Sequence, residues 1–143
     1  MQVVHEFGHV VAAFACGETV RRVVLHPLAL SRTDVSLDRR PWAVIWGGPV
    51  LGVALPLAWL AAMKLHRSRL SYMVQFFAGF CLVANGAYLG AGALAGVGDA
   101  GDLIRFEAPT WPAILFGLVA TALGLRLWNG LGASMGSAIR RNP

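Results

Sequence analysis

The sequence predicts an all-α membrane protein of about four transmembrane helices, the first of them truncated, with a small β-hairpin after the first helix. Hydrophobic residues make up 57% of the 143 residues and charged residues only 13%, which is too apolar for an ordinary soluble domain. The charged residues leave three uninterrupted stretches: Pro41 to Met63, Leu70 to Gly98 and Ala108 to Leu125. Each is long enough to cross about 30 Å of hydrocarbon as a helix.

The first apolar segment is too short to cross a membrane by itself. Counted from Met1 to Gly17, a helix rises only about 24 Å at 1.5 Å per residue. We therefore expect a truncated first span, with roughly ten or more apolar residues encoded before Met1, because helix-end N–H groups need partners inside a bilayer. A secretory signal peptide does not fit, since His5, Glu6 and His9 stand where such a peptide would be basic or apolar.

A small β-hairpin is predicted between Thr19 and Leu37. The segment TVRRVVL is rich in β-branched residues, and residues 31–38 alternate in character as a strand does. The turn is expected near His26 and Pro27.

Small residues predict close packing of the second and third helices of the chain, which are the first two of the three long apolar stretches. The second opens at Pro41, a favourable first-turn residue, and carries Gly48 and Gly52 four residues apart, with Pro49 between them. The third carries a polar Asn85 and further pairs of glycines four apart. Gly48, Pro49 and Asn85 are therefore candidates for helix packing or substrate contact.

The composition also limits the partners. The net charge is +5, but the twelve Lys and Arg residues are scattered among loops and chain ends, without the basic stripe of a nucleic-acid-binding protein. We expect a lipid bilayer and no nucleic acid. Because basic residues flank both ends of the predicted helices, the positive-inside rule does not decide the orientation.

The first helix contains the sequence HEFGH at residues 5–9. Residues four apart share a helix face, so His5 and His9 can bind one metal ion, as in the HExxH pattern of zinc proteases. Glu6 lies beside them as the expected general base, which takes a proton from a water that zinc has acidified. Three ionisable residues in one apolar helix need a compensating partner, which favours a metal site over an interfacial helix end.

Catalytic zinc usually has three protein ligands, so one more is required. The third helix of the chain, predicted at Leu70 to Gly98, is followed by Asp99 and Asp102. If the helices alternate in direction, these two residues lie at the end where the first helix leaves the membrane. Asp99 lies deeper, whereas Asp102 is an alternative ligand or an acceptor for a ligating imidazole N–H. His26 in the hairpin is a weaker alternative.

Three motifs resemble the signature regions of the site-2 protease family of intramembrane zinc metalloproteases: HEFGH, GGPVLG at residues 47–52 and DAGDLIR at residues 99–105. The resemblance implies one catalytic zinc ion held by His5, His9 and Asp99, with Glu6 as the catalytic residue. It implies a three-helix catalytic core over about residues 1–105. The last apolar stretch separately predicts an additional helix at about 111–132, and the absence of internal repeats predicts a single membrane-embedded domain of residues 1–143.

The resemblance further implies a multi-pass enzyme of a bacterial or archaeal inner membrane that cuts membrane-spanning or membrane-adjacent proteins or peptides. The hairpin then either holds an unwound substrate by strand addition or simply connects two helices. Two alternatives remain: a non-proteolytic membrane protein of the same fold that binds zinc or a partner without turnover, and a purely structural helical bundle.

Overall fold

The computed structural model describes residues 1–26 and 31–132. This part of the chain is mostly helical, with one two-stranded antiparallel sheet. The elements, in chain order, are α1 (Gln2–Cys16), β1 (Val20–Val24), β2 (Arg32–Val35), α2 (Pro41–Leu65), α3 (Ser71–Ala95), α4 (Gly98–Arg105) and α5 (Trp111–Asn129).

Three of the described helices, α2, α3 and α5, are long and apolar enough to cross a membrane. They coincide with the three apolar stretches of the sequence, so the prediction of three long apolar helices is confirmed. Helix α1 has 15 residues and is not among them. Many large apolar side chains on these helices are exposed, such as Trp59, Leu94 and Leu118, as expected for surfaces that contact lipid.

Glycines set the distances between the helices. Helix α2 packs between α1 and α3, and α3 packs against α5. A β-carbon on Gly8 of α1 would overlap the carbonyl oxygen of Gly47 in α2, and one on Gly117 of α5 would lie 2.7 Å from the Cα atom of Gly90 in α3. The backbones therefore approach closely, as the spacing of small residues predicted.

Helix α3 ends at Ala95, short of the Gly98 at which its apolar stretch ends. Gly96 adopts a left-handed conformation with φ of 68°, and its N–H donates to the carbonyl of Gly92 at 2.8 Å. This is a common helix stop because glycine carries no β-carbon to strain the turn. The chain then turns again at Gly98, φ 60°, into the separate short helix α4.

The predicted hairpin is confirmed as an antiparallel pair in which Val20 pairs with Val35 and Val24 with Arg32. The expected turn residue Pro27 lies outside the described residues. The hairpin contacts α1 through both strands, so β2 lies beside the helix that carries the two histidines.

Glu18, directly after α1, joins three elements through its buried carboxylate, which is 6% exposed. Oε1 accepts the backbone N–H groups of Arg39 at 2.7 Å and Arg40 at 3.0 Å, and Oε2 accepts the Ser36 hydroxyl at 3.0 Å and the Asp38 N–H at 3.3 Å. The carboxylate thereby ties the end of α1 to the end of the hairpin and to the start of α2.

We expect Glu18→Gln to lower the melting temperature by several degrees at pH 7 and by much less near pH 2. The N–H groups of Arg39 and Arg40 hold the pKa of Glu18 at about 2, below its ordinary 4.5. A lowered pKa contributes stability that is fully present above pH 4.5 and is lost as the pH falls toward 2. Thermal unfolding in detergent at several pH values measures the difference, and Glu107→Gln, at an exposed residue, is the control. An equal effect of Glu18→Gln at all pH values would contradict this role.

Candidate metal centre

Three side chains from two helices converge at one point. His5 and His9 lie one turn apart on α1, are 5% and 7% exposed, and have their Nε2 atoms 3.1 Å apart. Asp99 comes from the first turn of α4, and its Oδ2 lies 3.0 Å from His5 Nε2 and 3.3 Å from His9 Nε2. In the described part of the chain, these three residues form the one group of His, Cys, Asp or Glu side chains arranged to hold a metal ion.

The partners of the two imidazoles fix their tautomers. Asn85 donates its Nδ2 to the carbonyl of Cys81 at 2.8 Å, which turns its Oδ1 toward His5 Nδ1 at 2.7 Å. His9 Nδ1 lies 2.9 Å from the carbonyl oxygen of Val44. Because both partners are acceptors, both Nδ1 atoms must carry the proton. In the neutral imidazoles, both Nε2 atoms therefore present lone pairs to each other and to Asp99.

This arrangement leaves three electron-rich atoms facing one another. Asp99 Oδ2 is fully buried and has no hydrogen-bond partner, although both imidazoles lie at ion-pair distance. In the neutral tautomers that Asn85 and Val44 select, neither Nε2 has a proton to donate to it. A buried carboxylate oxygen without a partner is costly, and a bound cation would remove that cost.

The donor set fits zinc. Two imidazole nitrogens and one carboxylate oxygen are a common set for catalytic zinc, with bonds of about 2.0–2.2 Å. Ligand atoms at tetrahedral angles around such an ion are about 3.3 Å apart. The three observed separations are 3.0, 3.1 and 3.3 Å, so little movement would be needed to bind the ion.

The other predicted ligands lie elsewhere. Asp102 is outside the group, and its carboxylate contacts Arg105 at 3.3 Å. The Nδ1 atoms of His5 and His9 lie instead against Asn85 Oδ1 and the Val44 carbonyl oxygen. His26 is exposed at the hairpin and is also outside the group.

The glycines of the GGPVLG segment make room for these side chains. A β-carbon on Gly48 would overlap His9 Nε2, and one on Gly52 would lie 2.7 Å from Asn85 Oδ1. Pro49, which follows Gly48, is buried in α2. Gly48 therefore borders the site directly and is more than a packing residue, whereas Asn85 links α3 to the ligand His5.

We expect Gly48→Ala to displace His9, because the added methyl group needs the volume that the imidazole occupies. Forcing a methyl group into a packed interior typically costs about 1–3 kcal/mol of unfolding free energy. Thermal unfolding in detergent measures this loss. Gly132→Ala is the matched control, because no atom of residues 1–26 or 31–132 lies within 4 Å of the added carbon there. Equal stability of the two variants would show that α1 and α2 are not packed as described.

Glu6 lies beside the group without belonging to it. Its side chain is buried, with the residue 4% exposed, and its Oε2 accepts a hydrogen bond from the Thr33 hydroxyl at 2.6 Å. A small cavity of about 40 Å³ borders Glu6 and His5 and is also lined by Gln2, Ser31 and Tyr88. This volume has room for water next to the carboxylate and to one of the imidazoles.

A wider cleft of about 270 Å³ is lined by both His9 and Thr33. Its lining includes Arg21 and Asp34 of the hairpin and Asp102 and Arg105 of α4. The site is therefore reached from a polar opening between the hairpin and α4, and Thr33 lines that opening.

Several of these residues carried no functional signal in the sequence. Thr33 was notable only as part of an alternating strand, and the role of Val44 depends on its backbone carbonyl, which any residue supplies. Tyr88 packs edge-on against His5, with ring centroids 5.5 Å apart. Among the residues that contact the predicted ligands and Glu6, Asn85 was the one with a signal in the sequence, because it is a polar residue inside an apolar helix.

Comparison with known proteins adds no assignment, because the chain matches no family model, no curated protein and no solved structure. Function is therefore inferred from the geometry of the side chains and from the motifs in the sequence.

Proposed function

We propose that this protein is an integral membrane zinc endopeptidase of the site-2 protease type, which hydrolyses peptide bonds in membrane-spanning or membrane-adjacent substrates. The observation that carries the proposal is the convergence of His5 Nε2, His9 Nε2 and the buried, unpartnered Asp99 Oδ2 within 3.3 Å of one another. A buried carboxylate, Glu6, stands next to the two histidines.

In this proposal, His5, His9 and Asp99 hold the zinc ion. The bound ion supplies a positive charge that acidifies water and polarises a carbonyl oxygen. Asn85 and the carbonyl of Val44 keep the two imidazoles in the tautomer and orientation that ligation requires.

Glu6 acts as the general base. It accepts a proton from the water that attacks the scissile carbonyl carbon, and it returns this proton to the amide nitrogen as the C–N bond breaks. Because Glu6 lies outside the ligand group and borders the small cavity beside His5, its carboxylate is available for proton transfer.

The proposal places the reaction inside a bilayer. Helices α2, α3 and α5 are the candidate spans, and α1 is proposed as part of a fourth, packed against α2. Val44, whose carbonyl holds His9, belongs to the first turn of α2, so the site lies about one turn, or about 5 Å, inside the helical bundle. The motif resemblance supports a multi-pass protein of a bacterial or archaeal inner membrane.

Two measurements on the detergent-purified chain test the function. Elemental analysis should find close to one zinc ion per chain. Synthetic single-span peptides of about 20 apolar residues should be cut, with cleavage stopped by a zinc chelator and restored by zinc. Bound zinc without peptide cleavage would favour the non-proteolytic alternative of the same fold. Absence of zinc would favour the alternative of a purely structural helical bundle.

A further inference from the structure

The hairpin touches the proposed catalytic base through one short hydrogen bond. Thr33 Oγ1 lies 2.6 Å from Glu6 Oε2, a length typical of a hydroxyl donating to a charged carboxylate. In the described part of the chain, this hydroxyl is the one hydrogen-bond partner of the Glu6 carboxylate. A carboxylate in a residue only 4% exposed depends strongly on such a partner for its position.

The contact follows from the register of β2 along α1. Ser31 donates to Gln2 Oε1 at 3.2 Å, and Thr33 donates to Glu6. Two residues along a strand advance about 6.6 Å, and four residues along a helix advance about 6 Å, so the two pairs match in spacing. A slip of one residue would turn Thr33 to the other face of the hairpin and remove its hydroxyl from Glu6.

The far end of the same strand is held independently. Ser36 donates to Glu18, whose carboxylate also accepts N–H groups at the start of α2. Because β2 is fixed to α1 near both of its ends, Thr33 is held in place between them. The strand thus supplies a rigid support for the Glu6 side chain rather than an incidental contact.

We infer that Thr33 is a positioning residue that holds the Glu6 carboxylate in the orientation needed to accept a proton from the attacking water. The inference rests on the proposed function. Thr33 lines the wide cleft that reaches His9, and Glu6 lines the small cavity beside His5, so their hydrogen bond joins a residue of one space to a residue of the other. The hairpin is therefore part of the catalytic apparatus and does more than connect α1 to α2.

The test compares Thr33→Val, which keeps the shape and removes the hydroxyl, with Thr33→Ser, which keeps the hydroxyl. We expect the valine variant to retain zinc and KM but to lose about 10- to 100-fold in kcat, the usual range for a residue that orients a catalytic group. The serine variant should recover most of this loss. The substrate is the peptide that the wild-type chain cuts fastest, and Thr33→Ala replaces the valine variant if that variant does not fold.

A second readout needs neither zinc nor turnover. The infrared carboxylate stretch of Glu6, identified by its loss in Glu6→Gln, should shift in Thr33→Val and return in Thr33→Ser. Thr19→Val, an exposed threonine of the same loop and hairpin region, is the control and should change neither the spectrum nor kcat.

The outcomes separate this inference from the proposed function. The role of Thr33 would be overturned, and the proposed protease function kept, if the wild-type chain is active and Thr33→Val keeps its kcat or loses only substrate affinity. The same conclusion would follow if the carboxylate stretch of Glu6 does not shift in Thr33→Val. A wild-type chain that binds no zinc and cuts no peptide would overturn both. A spectral shift in that inactive chain would then mark a purely structural contact.

Discussion

Zinc content should fall from close to one ion per chain to less than about 0.1 in each of His5→Ala, His9→Ala and Asp99→Ala. Each substitution removes one of three ligand atoms that lie within 3.3 Å of one another, and two protein ligands bind zinc far more weakly than three. Elemental analysis after dialysis, followed by zinc titration in detergent, measures the loss.

Asp102→Ala is the matched control, because it removes a carboxylate from the same short helix without touching the ligand group. We expect it to retain its zinc, since Asp102 contacts Arg105 and neither imidazole. If Asp102→Ala lost the metal while Asp99→Ala kept it, the two aspartates would have to exchange roles.

Glu6→Gln should keep its zinc and lose about 10²- to 10⁴-fold in kcat, the contribution typical of a general base. The amide has the same shape and can still accept the hydrogen bond from Thr33, so the site should remain assembled. It cannot take a proton from water at neutral pH. Peptide cleavage and elemental analysis on the same preparation separate catalysis from metal binding.

Glu107→Gln makes the same chemical change at an exposed residue and should leave the rate unchanged. Undiminished cleavage by Glu6→Gln would refute its role as the base. Loss of zinc in that variant would instead indicate that Glu6 supports the ligand group.

The sequence by itself determined the features that depend on local spacing. Apolar runs long enough to cross a membrane predicted α2, α3 and α5, and the alternation after Gly17 predicted the hairpin. The i, i+4 spacing of His5 and His9 also put both imidazoles on one face, because residues four apart on any α-helix are neighbours. No tertiary contact is needed for these inferences.

Only the tertiary structure decided which distant groups complete the site. Asp99 and Asp102 are three residues apart, and sequence placed both near the histidines. The left-handed turns at Gly96 and Gly98 begin a new helix that brings Asp99 alone to them.

The same holds for the groups that support the site. Asn85 meets His5 across 80 residues of chain and Val44 meets His9 across 35, while Thr33 and Glu18 act through the docking of the hairpin. The periodicity of a helix or a strand depends on residues that are close together in the sequence. The orientation of an imidazole or a carboxylate depends instead on its hydrogen-bond partner. That partner is a backbone or side-chain group of a separate element, and only the packing of the two elements brings it within about 3 Å, the length of a hydrogen bond.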